Sequence, residues 1–459
     1  MINLVYEDAV WSRCADSESL KLLSPILVYE YYVYRQTGKG MARAVKKATA
    51  VDSSGYFNSG WIPKIKRHCK KVGLAVCLEK EPERQTPKFK AELPNKTFRP
   101  DQEFLLRRVY IRNRGFFESP TGSGKSIIIA GILSAYRDKQ ALIIVPSKTL
   151  LHQMVSDLKE EGIKNIGLVG DGNKAPNKVT VGIINSVVNN FKEDWVRKAE
   201  VVIVDEAHGI NKDNGYDTVL LSCKASIRIG LTATRPKADA VRGLYLEGLL
   251  GEYLGRVPAD LLIEKGVLAK PNIILVEPEF PLDTDLIKNY KDSYETGIVQ
   301  NSHRNKLIAK ICEDMKRQKR TSLVIIWKTK HGEKILDELE RIGGLRCVFV
   351  HGKTKGKERE RVRKLLDAKE YDVVVASDIW KQGVNIKSLD CVINAAGWKA
   401  EIPVMQKLGR GLRTTDVKDT LYYVDFMDTG NRYLAFHSLK RITYYIQNGW
   451  EIMKYEFAK

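Results

Sequence analysis

The chain predicts an α/β fold built on parallel sheets, preceded by a small basic α+β unit. Three observations carry this. From residue 98 onward, short apolar runs of buried-strand length alternate with amphipathic helical stretches. A glycine-rich loop at 119–126 (SPTGSGKS) stands between one such run and a helical stretch. Two adjacent carboxylates, Asp205 and Glu206, follow the apolar run EVVIV at 200–204, and strand ends of this kind are where ligands gather in open parallel sheets.

In chain order, residues 1–80 read as a separate unit. The stretch 26–34 (ILVYEYYVY) has the β-branched and aromatic content of a strand. The stretch 61–72 (WIPKIKRHCKKV) reads as a helix, with Ile62, Ile65, Cys69 and Val72 spaced for one buried face. Lys64, Lys66, Arg67, Lys70 and Lys71 then face outward. Clustered basic charge is the footprint of phosphate binding, so these five are candidate duplex contacts as well as an ordinary solvated face. Residues 81–97 (EPERQTPKFKAELPNKT) have the prolines and charges of a linker.

A first strand–helix series occupies 98–270, with strands at 115–117, 141–145, 179–184, 201–204 and 227–231. A second occupies 271–459, with strands at 273–276, 322–326, 346–350, 373–376, 391–394 and 421–424. It closes on a helical tail at 433–446. Helical faces such as Leu307, Ile308, Ile311 and Met315 fall between the strands.

The glycine-rich loop has the chemistry of a phosphate cradle. Gly122 and Gly124 let the backbone turn its amides toward an anion, with Thr121 and Ser123 between and before them. Lys125 reaches β- and γ-phosphates, and the Ser126 hydroxyl can ligate magnesium. The helix that begins at Ser126 points its positive end at the same anion. Asp205 is the second candidate magnesium ligand. Glu206 is placed to orient and deprotonate an attacking water. The second series has no phosphate loop of its own.

Composition narrows the partner. The chain has 459 residues, a 43% hydrophobic fraction and a net charge of +20, which favours a polyanion. No apolar run approaches the length of a bilayer span, and the first residues (MINLVYEDAVW) carry acids rather than a basic secretory signal. The seven cysteines form no CxxC pair, so neither a zinc cluster nor a disulfide framework is supported, and a reducing cytoplasm (of a host, for a viral protein) is the simplest setting.

These motifs, in this order, resemble those of the superfamily 2 helicases over nearly all of 98–426. The segment 98–102 (FRPDQ) looks like the adenine-reading segment, implying that Phe98, Arg99 and Gln102 flank the base, with Gln102 its contact. The loop 119–126 is motif I, and 145–153 (VPSKTLLHQ) resembles motif Ia. DEAH at 205–208 is motif II, and 230–235 (GLTATR) contains motif III. The stretch 376–386 (ASDIWKQGVNI) resembles motif V with Gly383 its central glycine, and 406–413 (QKLGRGLR) resembles motif VI. The resemblance implies two tandem RecA-like domains, ATP and Mg2+ as cofactors, and Arg410 and Arg413 as arginine fingers toward the γ-phosphate, with Gln406 positioning water or phosphate. His208, Thr232 and Thr234 are implied to couple nucleotide state to strand grip. Two positions depart from the family pattern: Ser119 stands where a glycine is usual, and Asn385 where many relatives carry aspartate.

The layout, together with 57–78 (FNSGWIPKIKRHCKKVGLAVCL), is similar to the bacteriophage branch-migration helicases of the UvsW type. That implies a monomeric ATP-dependent DNA helicase or translocase acting on branched DNA such as Holliday junctions, forks or R-loops, with no membrane partner. An RNA helicase, a duplex translocase that opens nothing, and a non-hydrolysing ATP-gated clamp are the open alternatives.

Overall fold

The computed structural model describes all residues except 38–39, 95, 121, 234, 237–240, 269, 281–286, 378–388, 398–419 and 456–459. The chain divides into two compact units. One comprises Met1–Ser119 with Gly124–Val257, the other Pro258–Lys459 with the short stretch Pro120–Ser123.

The first unit is organised on an eight-stranded sheet. Its order is Asn173–Ala175, Ile166–Gly170, Val179–Ile183, Ala141–Val145, Val201–Val204, Ile227–Thr232, Arg114–Glu118 and Tyr253–Arg256. Its strand pairs are parallel apart from the edge hairpin that Ile166–Gly170 makes with Asn173–Ala175. The central strands are buried along their whole length because helices cover both faces of such a sheet. The second unit repeats the scheme. Its order is Cys347–Val350, Val373–Ala376, Ser322–Ile325, Cys391–Asn394, Thr420–Phe426, Lys270–Val276 and Ile452–Lys454, with every pair parallel. Leu307, Ile308, Ile311 and Met315 of helix Ser302–Arg317 are buried against it, as their spacing predicts. Both sheets are RecA-like parallel α/β layers.

The first eighty residues contain a four-stranded sheet (Tyr56–Asn58, Trp11–Cys14, Ile2–Tyr6, Val76–Leu78) and a two-stranded ribbon, Val28–Thr37 with Gly40–Thr49. They do not stand apart from the domain of the eight-stranded sheet. Their core of Ile2, Leu4, Phe57, Trp61, Ile65 and Cys69 includes Leu244 from helix Val241–Leu250. The Trp61 indole donates to the Leu244 carbonyl at 2.9 Å. The small sheet and the helix Val241–Leu250 thus share one hydrophobic core. The compact units accordingly divide at Val257/Pro258, thirteen residues before the 270/271 boundary read from sequence, where Pro258 caps the helix Ala259–Glu264.

Two further expectations are corrected. The basic helix runs Ile62–Lys71 after a 3-10 turn, and Ile62, Ile65 and Cys69 are buried, but Val72 lies beyond its end and is 54% exposed. The stretch 81–97 is strapped along the first unit. Gln85 N–H donates to Asn113 at 2.8 Å, Ser134 donates to the Glu92 carbonyl at 2.8 Å, and Lys96 pairs with Glu161.

Gly60 makes the closest approach in the shared core. A Cβ there would sit 2.3 Å from the carbonyl oxygens of Glu247 and Gly248, which are backbone and cannot swing aside. Gly60→Ala should therefore lower stability by about 1–3 kcal/mol or more in urea unfolding, an overpacking cost. It should also expose the first eighty residues to protease, whereas the neighbouring Ser54→Ala should do neither.

Candidate active site

Strand order brings three of the sequence motifs together. Arg114–Glu118, Ile227–Thr232 and Val201–Val204 are consecutive neighbours in the first sheet. Their carboxyl ends carry the glycine-rich loop, Thr232 and Asp205–Glu206 respectively. Thr232 is thus the middle of the row. Its carbonyl accepts from Ser119 N–H at 2.8 Å, and its hydroxyl lies 3.1 Å from His208 Nδ1. Ser119 is fully buried in this bond, so a hydroxymethyl fits where a glycine is usual.

The loop turns as the motif requires. Gly122 and Gly124 have φ of +85° and +87°, a region that favours glycine. Gly124 caps the helix Lys125–Ala135, one residue earlier than the start expected at Ser126. A Cβ on Gly124 would lie 2.9 Å from Gln102 Nε2, so the amide of Gln102 sits directly over the loop. Gln102 Oε1 accepts from Arg99 N–H at 3.1 Å, which fixes the amide's orientation. Its Nε2 is buried without a hydrogen-bond partner among the described residues. A buried donor of this kind is costly to leave unmade, and here it faces the loop. Arg99 is held by Asp101 at 2.9 Å, and Phe98 packs toward Gly131 of the loop's helix.

The charged centre is a relay of short contacts. Lys125 Nζ lies 3.1 Å from Glu206 Oε1, and Glu206 Oε2 lies 3.2 Å from His208 Nδ1. The Asp205 carboxylate accepts from Glu206 N–H at 3.0 Å. Glu206 adopts the left-handed region with φ +53°, which costs a residue with a Cβ about 1–2 kcal/mol. Strain of this type persists where surrounding contacts hold it; Lys125 bonds Oε1, while Oε2 is buried without a hydrogen-bond partner among the described residues, 3.2 Å from His208 Nδ1. Burial pushes the Asp205 carboxyl up, Lys125 opposes this, and Glu206 adds to it. Burial also raises Glu206, but Lys125 and His208 outweigh it and hold that carboxyl low. Burial lowers Lys125, yet Glu206 and Asp205 outweigh it and raise the ammonium above its ordinary value. The Glu206 carboxylate and the Lys125 ammonium thus face each other in a largely buried site.

These residues suit a nucleotide triphosphate with magnesium. The orphaned Gln102 donor, the two left-handed glycines and Lys125 match base, backbone-cradled phosphate and phosphate charge in turn. Ser126 and Asp205 carry hard oxygens of the kind a magnesium ion would take alongside phosphates. Among the described residues no group of three or more His, Cys, Asp or Glu side chains is placed to hold a metal unaided.

Other expected site residues fall differently. Thr121, Thr234, Gly383, Gln406, Arg410 and Arg413 lie outside the described residues, as does Asn385. The basic helix is partly committed to the protein itself. Lys64 pairs with Glu247 at 3.0 Å, Arg67 with Glu252 at 3.2 Å and Lys66 with Glu81 at 2.5 Å, while Lys70 and Lys71 are exposed. In the first two pairs the acid is the more buried partner, so these bridges dock the helix onto the first sheet's domain.

Sequence reasoning passed over a buried charge network in the second unit. Arg304 bonds Asp428 at 2.9 Å, and Arg441 bonds Asp425 at 2.6 Å, with Tyr445 donating to the same Asp425 carboxylate. Ala395, Ala396 and Gly397 follow the strand Cys391–Asn394. Their carbonyls accept from Arg304, Tyr294 and Arg441 respectively. The network therefore fixes the chain just before the segment that carries Gln406, Arg410 and Arg413. Its sequence signal was an acid inside the apolar strand LYYVDF at 421–426. Arg441→Met should strand Asp425 without its partner and lower the stability of this unit by about 3–5 kcal/mol. Urea unfolding should show Arg441→Lys recovering part of that loss.

Comparison with known proteins agrees with this geometry. The family described as type III restriction enzyme, res subunit, matches residues 95–237, and the helicase conserved C-terminal domain matches residues 303–415. The chain is 24% identical over 431 residues to the ATP-dependent DNA helicase uvsW of Enterobacteria phage T4, covering 84% of this chain and 85% of that protein. It is 25% identical over 361 residues to helicase 22 of the Sulfolobus islandicus filamentous virus, covering 73% of this chain but only 64% of the viral protein. Among solved structures, an HsdR subunit fragment of a type I restriction enzyme from Vibrio vulnificus YJ016 aligns with TM-score 0.60 at 14% identity, over 96% of this chain and 97% of the fragment. That likeness concerns the fold.

Proposed function

The chain belongs to the superfamily 2 helicases, ATP-dependent enzymes that bind nucleic acid, and from that premise we propose that it unwinds or branch-migrates branched DNA. The observation that carries the reading is the Lys125–Glu206–His208–Thr232 relay, joining the phosphate loop to motif III. The similarity to uvsW, a DNA helicase by its description, supports it over 84% of this chain. The net charge of +20 supports a polyanionic partner.

The roles follow from the contacts. Gln102 Nε2 donates to the base, and the backbone at 122–124 with Lys125 holds the phosphates. Ser126 and Asp205 would hold a magnesium ion, which would supply positive charge to the phosphate oxygens. Lys125 exchanges its contact with Glu206 for phosphate, and Glu206 is released to orient a water and take its proton. His208 stays against Thr232, so a change at Glu206 reaches the strand end between loop and DEAH. We assign Gln406, Arg410 and Arg413 to the transferred phosphoryl group on their place in QKLGRGLR, where guanidinium groups serve as fixed-charge donors. Thr121, Ser123, Gly383 and Thr234 keep the nucleotide and coupling roles that their motifs imply.

We propose that the exposed Lys70 and Lys71, with Lys66 and Arg67 at the rim, contact duplex phosphates, and that Lys64 contributes by holding the helix in place. Each phosphate contact adds about 0.9 to the slope of log K against log salt. Neutralising Lys70 and Lys71 should reduce that slope by about 1–2. Lys64→Ala should leave the slope and lower stability instead. A slope unmoved by the double change removes the duplex grip.

Two assays test the reading as a whole. Gln102→Ala should raise the KM for ATP about 5–10-fold while leaving the KM for GTP within twofold, since one base-directed hydrogen bond is lost. ATPase stimulation compared across a four-way junction, duplex DNA, single-stranded DNA and RNA should be greatest on the junction, with strand separation abolished in Lys125→Ala. Greatest stimulation by RNA, or by duplex without any strand separation, selects a different nucleic-acid activity.

A further inference from the structure

We infer that Tyr216 is a positioning residue for nucleotide hydrolysis: its hydroxyl takes hold of Glu206 when Lys125 turns to the phosphates. The inference rests on the helicase reading and names a further group within its chemistry. Tyr216 stands on the helix Gly215–Ser222, which follows the DEAH turn in the first unit. Two bonds tie that helix to the turn. Gly209 N–H donates to the Glu206 carbonyl at 2.9 Å, and the side chain of Asn214, which caps the helix, donates to the Gly209 carbonyl at 2.9 Å. A Cβ on Gly209 would lie 3.2 Å from Tyr216 Cε2 and 3.6 Å from its hydroxyl oxygen. The phenol therefore rests against the residue that closes the Glu206 turn.

The hydroxyl is the anomaly. Tyr216 is 7% exposed and belongs to one apolar core with Ala207, Ile210, Val219 and Leu220, yet its hydroxyl makes no hydrogen bond among the described residues. A buried donor left unmade is costly, and phenylalanine would fill the same apolar space without that cost. Burial pushes the hydroxyl above its ordinary value, and the charges of Asp205 and Glu206 push it further. The group therefore keeps its proton and is a neutral donor suited to a carboxylate.

The acceptor lies in the same turn. Glu206 Oε2 is also buried without a hydrogen-bond partner among the described residues. His208 Nδ1 stands 3.2 Å from this oxygen, but its hydrogen bond runs to the Thr232 hydroxyl. Asp205 acts on the Tyr216 hydroxyl more strongly than Glu206 does, but the Asp205 carboxylate already accepts from Glu206 N–H at 3.0 Å. Without nucleotide, Lys125 at 3.1 Å compensates the Glu206 charge. Once the ammonium moves to phosphate, Glu206 is a buried anion that has lost its bonded cation, the condition in which burial costs most. The same departure frees the Glu206 side chain to meet the phenol. A neutral donor on Oε2 then fixes the carboxylate and leaves Oε1 to orient a water and take its proton. A second cation on the carboxylate would lower its basicity instead.

The test is single-turnover ATP hydrolysis by the full-length protein with single-stranded DNA, beside ATP affinity and urea unfolding without nucleotide. Tyr216→Phe is measured in the wild-type and Glu206→Gln backgrounds. Loss of a hydrogen bond to a charged group sets the scale, so Tyr216→Phe should hydrolyse ATP about 10-fold more slowly, with ATP affinity within about twofold of wild type. Its unfolding midpoint without nucleotide should match or exceed that of wild type, because no bond made in that state is removed. In the Glu206→Gln background the same change should slow hydrolysis by less than about twofold, since the carboxylate it serves is gone. A wild-type rate in Tyr216→Phe overturns the assignment, as does an equal loss in both backgrounds. A slower Tyr216→Phe that is also less stable in urea marks the hydroxyl as structural and overturns it too. Wild type that hydrolyses no ATP overturns the helicase reading beneath it.

Discussion

The ion pair between Lys125 and Glu206 is the constraint around which the first domain is arranged. Both groups are almost wholly withdrawn from water, and either charge alone would be costly there. Together they compensate each other at 3.1 Å, and the pair is poised for exchange because a phosphate offers Lys125 a second anion. The sheet order makes this possible. The strand before the loop and the strand before the carboxylates are separated by one strand only, Ile227–Thr232, and its terminal threonine bonds to both sides.

The left-handed backbone at Glu206 gives the site a stored asymmetry. Lys125 bonds one oxygen of its carboxylate and His208 Nδ1 lies 3.2 Å from the other, beside a backbone in the left-handed region. Loosening either contact changes the balance at Thr232. Lys125, Glu206, His208 and Thr232 thereby form one run of contacts from the glycine-rich loop to the strand end at Thr232. The second unit uses a different device. Two buried arginine–aspartate pairs and Tyr294 clasp three successive carbonyls at 395–397.

Much of this was legible in the residues. The strands 141–145, 201–204, 373–376 and 391–394 coincide with the observed elements, because continuous apolar runs between turn signals leave little else for them to be. The loop and DEAH were legible because glycine, lysine and paired acids are chemically unambiguous at that spacing. Edge strands such as Asn173–Ala175, Tyr253–Arg256 and Ile452–Lys454 were missed, since they are short and at most partly buried. The independence of residues 1–80 was misread. Nothing local to GWIPKIK announces that Gly60 and Trp61 dock on a helix nearly two hundred residues later. The outward lysines of that helix were read as one face, but Glu247 and Glu252 claim two of its cations, and long-range ion pairs leave no periodic trace.

The central claim is that Glu206 acts on water while Lys125 and Gln102 hold the nucleotide, so binding and chemistry should separate cleanly. The most direct measurement is single-turnover ATP hydrolysis beside ATP affinity, for wild type and Glu206→Gln in the presence of single-stranded DNA. The account predicts an ATP affinity within a few-fold of wild type and a hydrolysis rate lower by about 10²–10⁴-fold, the range for loss of a positioned general base. Hydrolysis at near the wild-type rate in Glu206→Gln would contradict it.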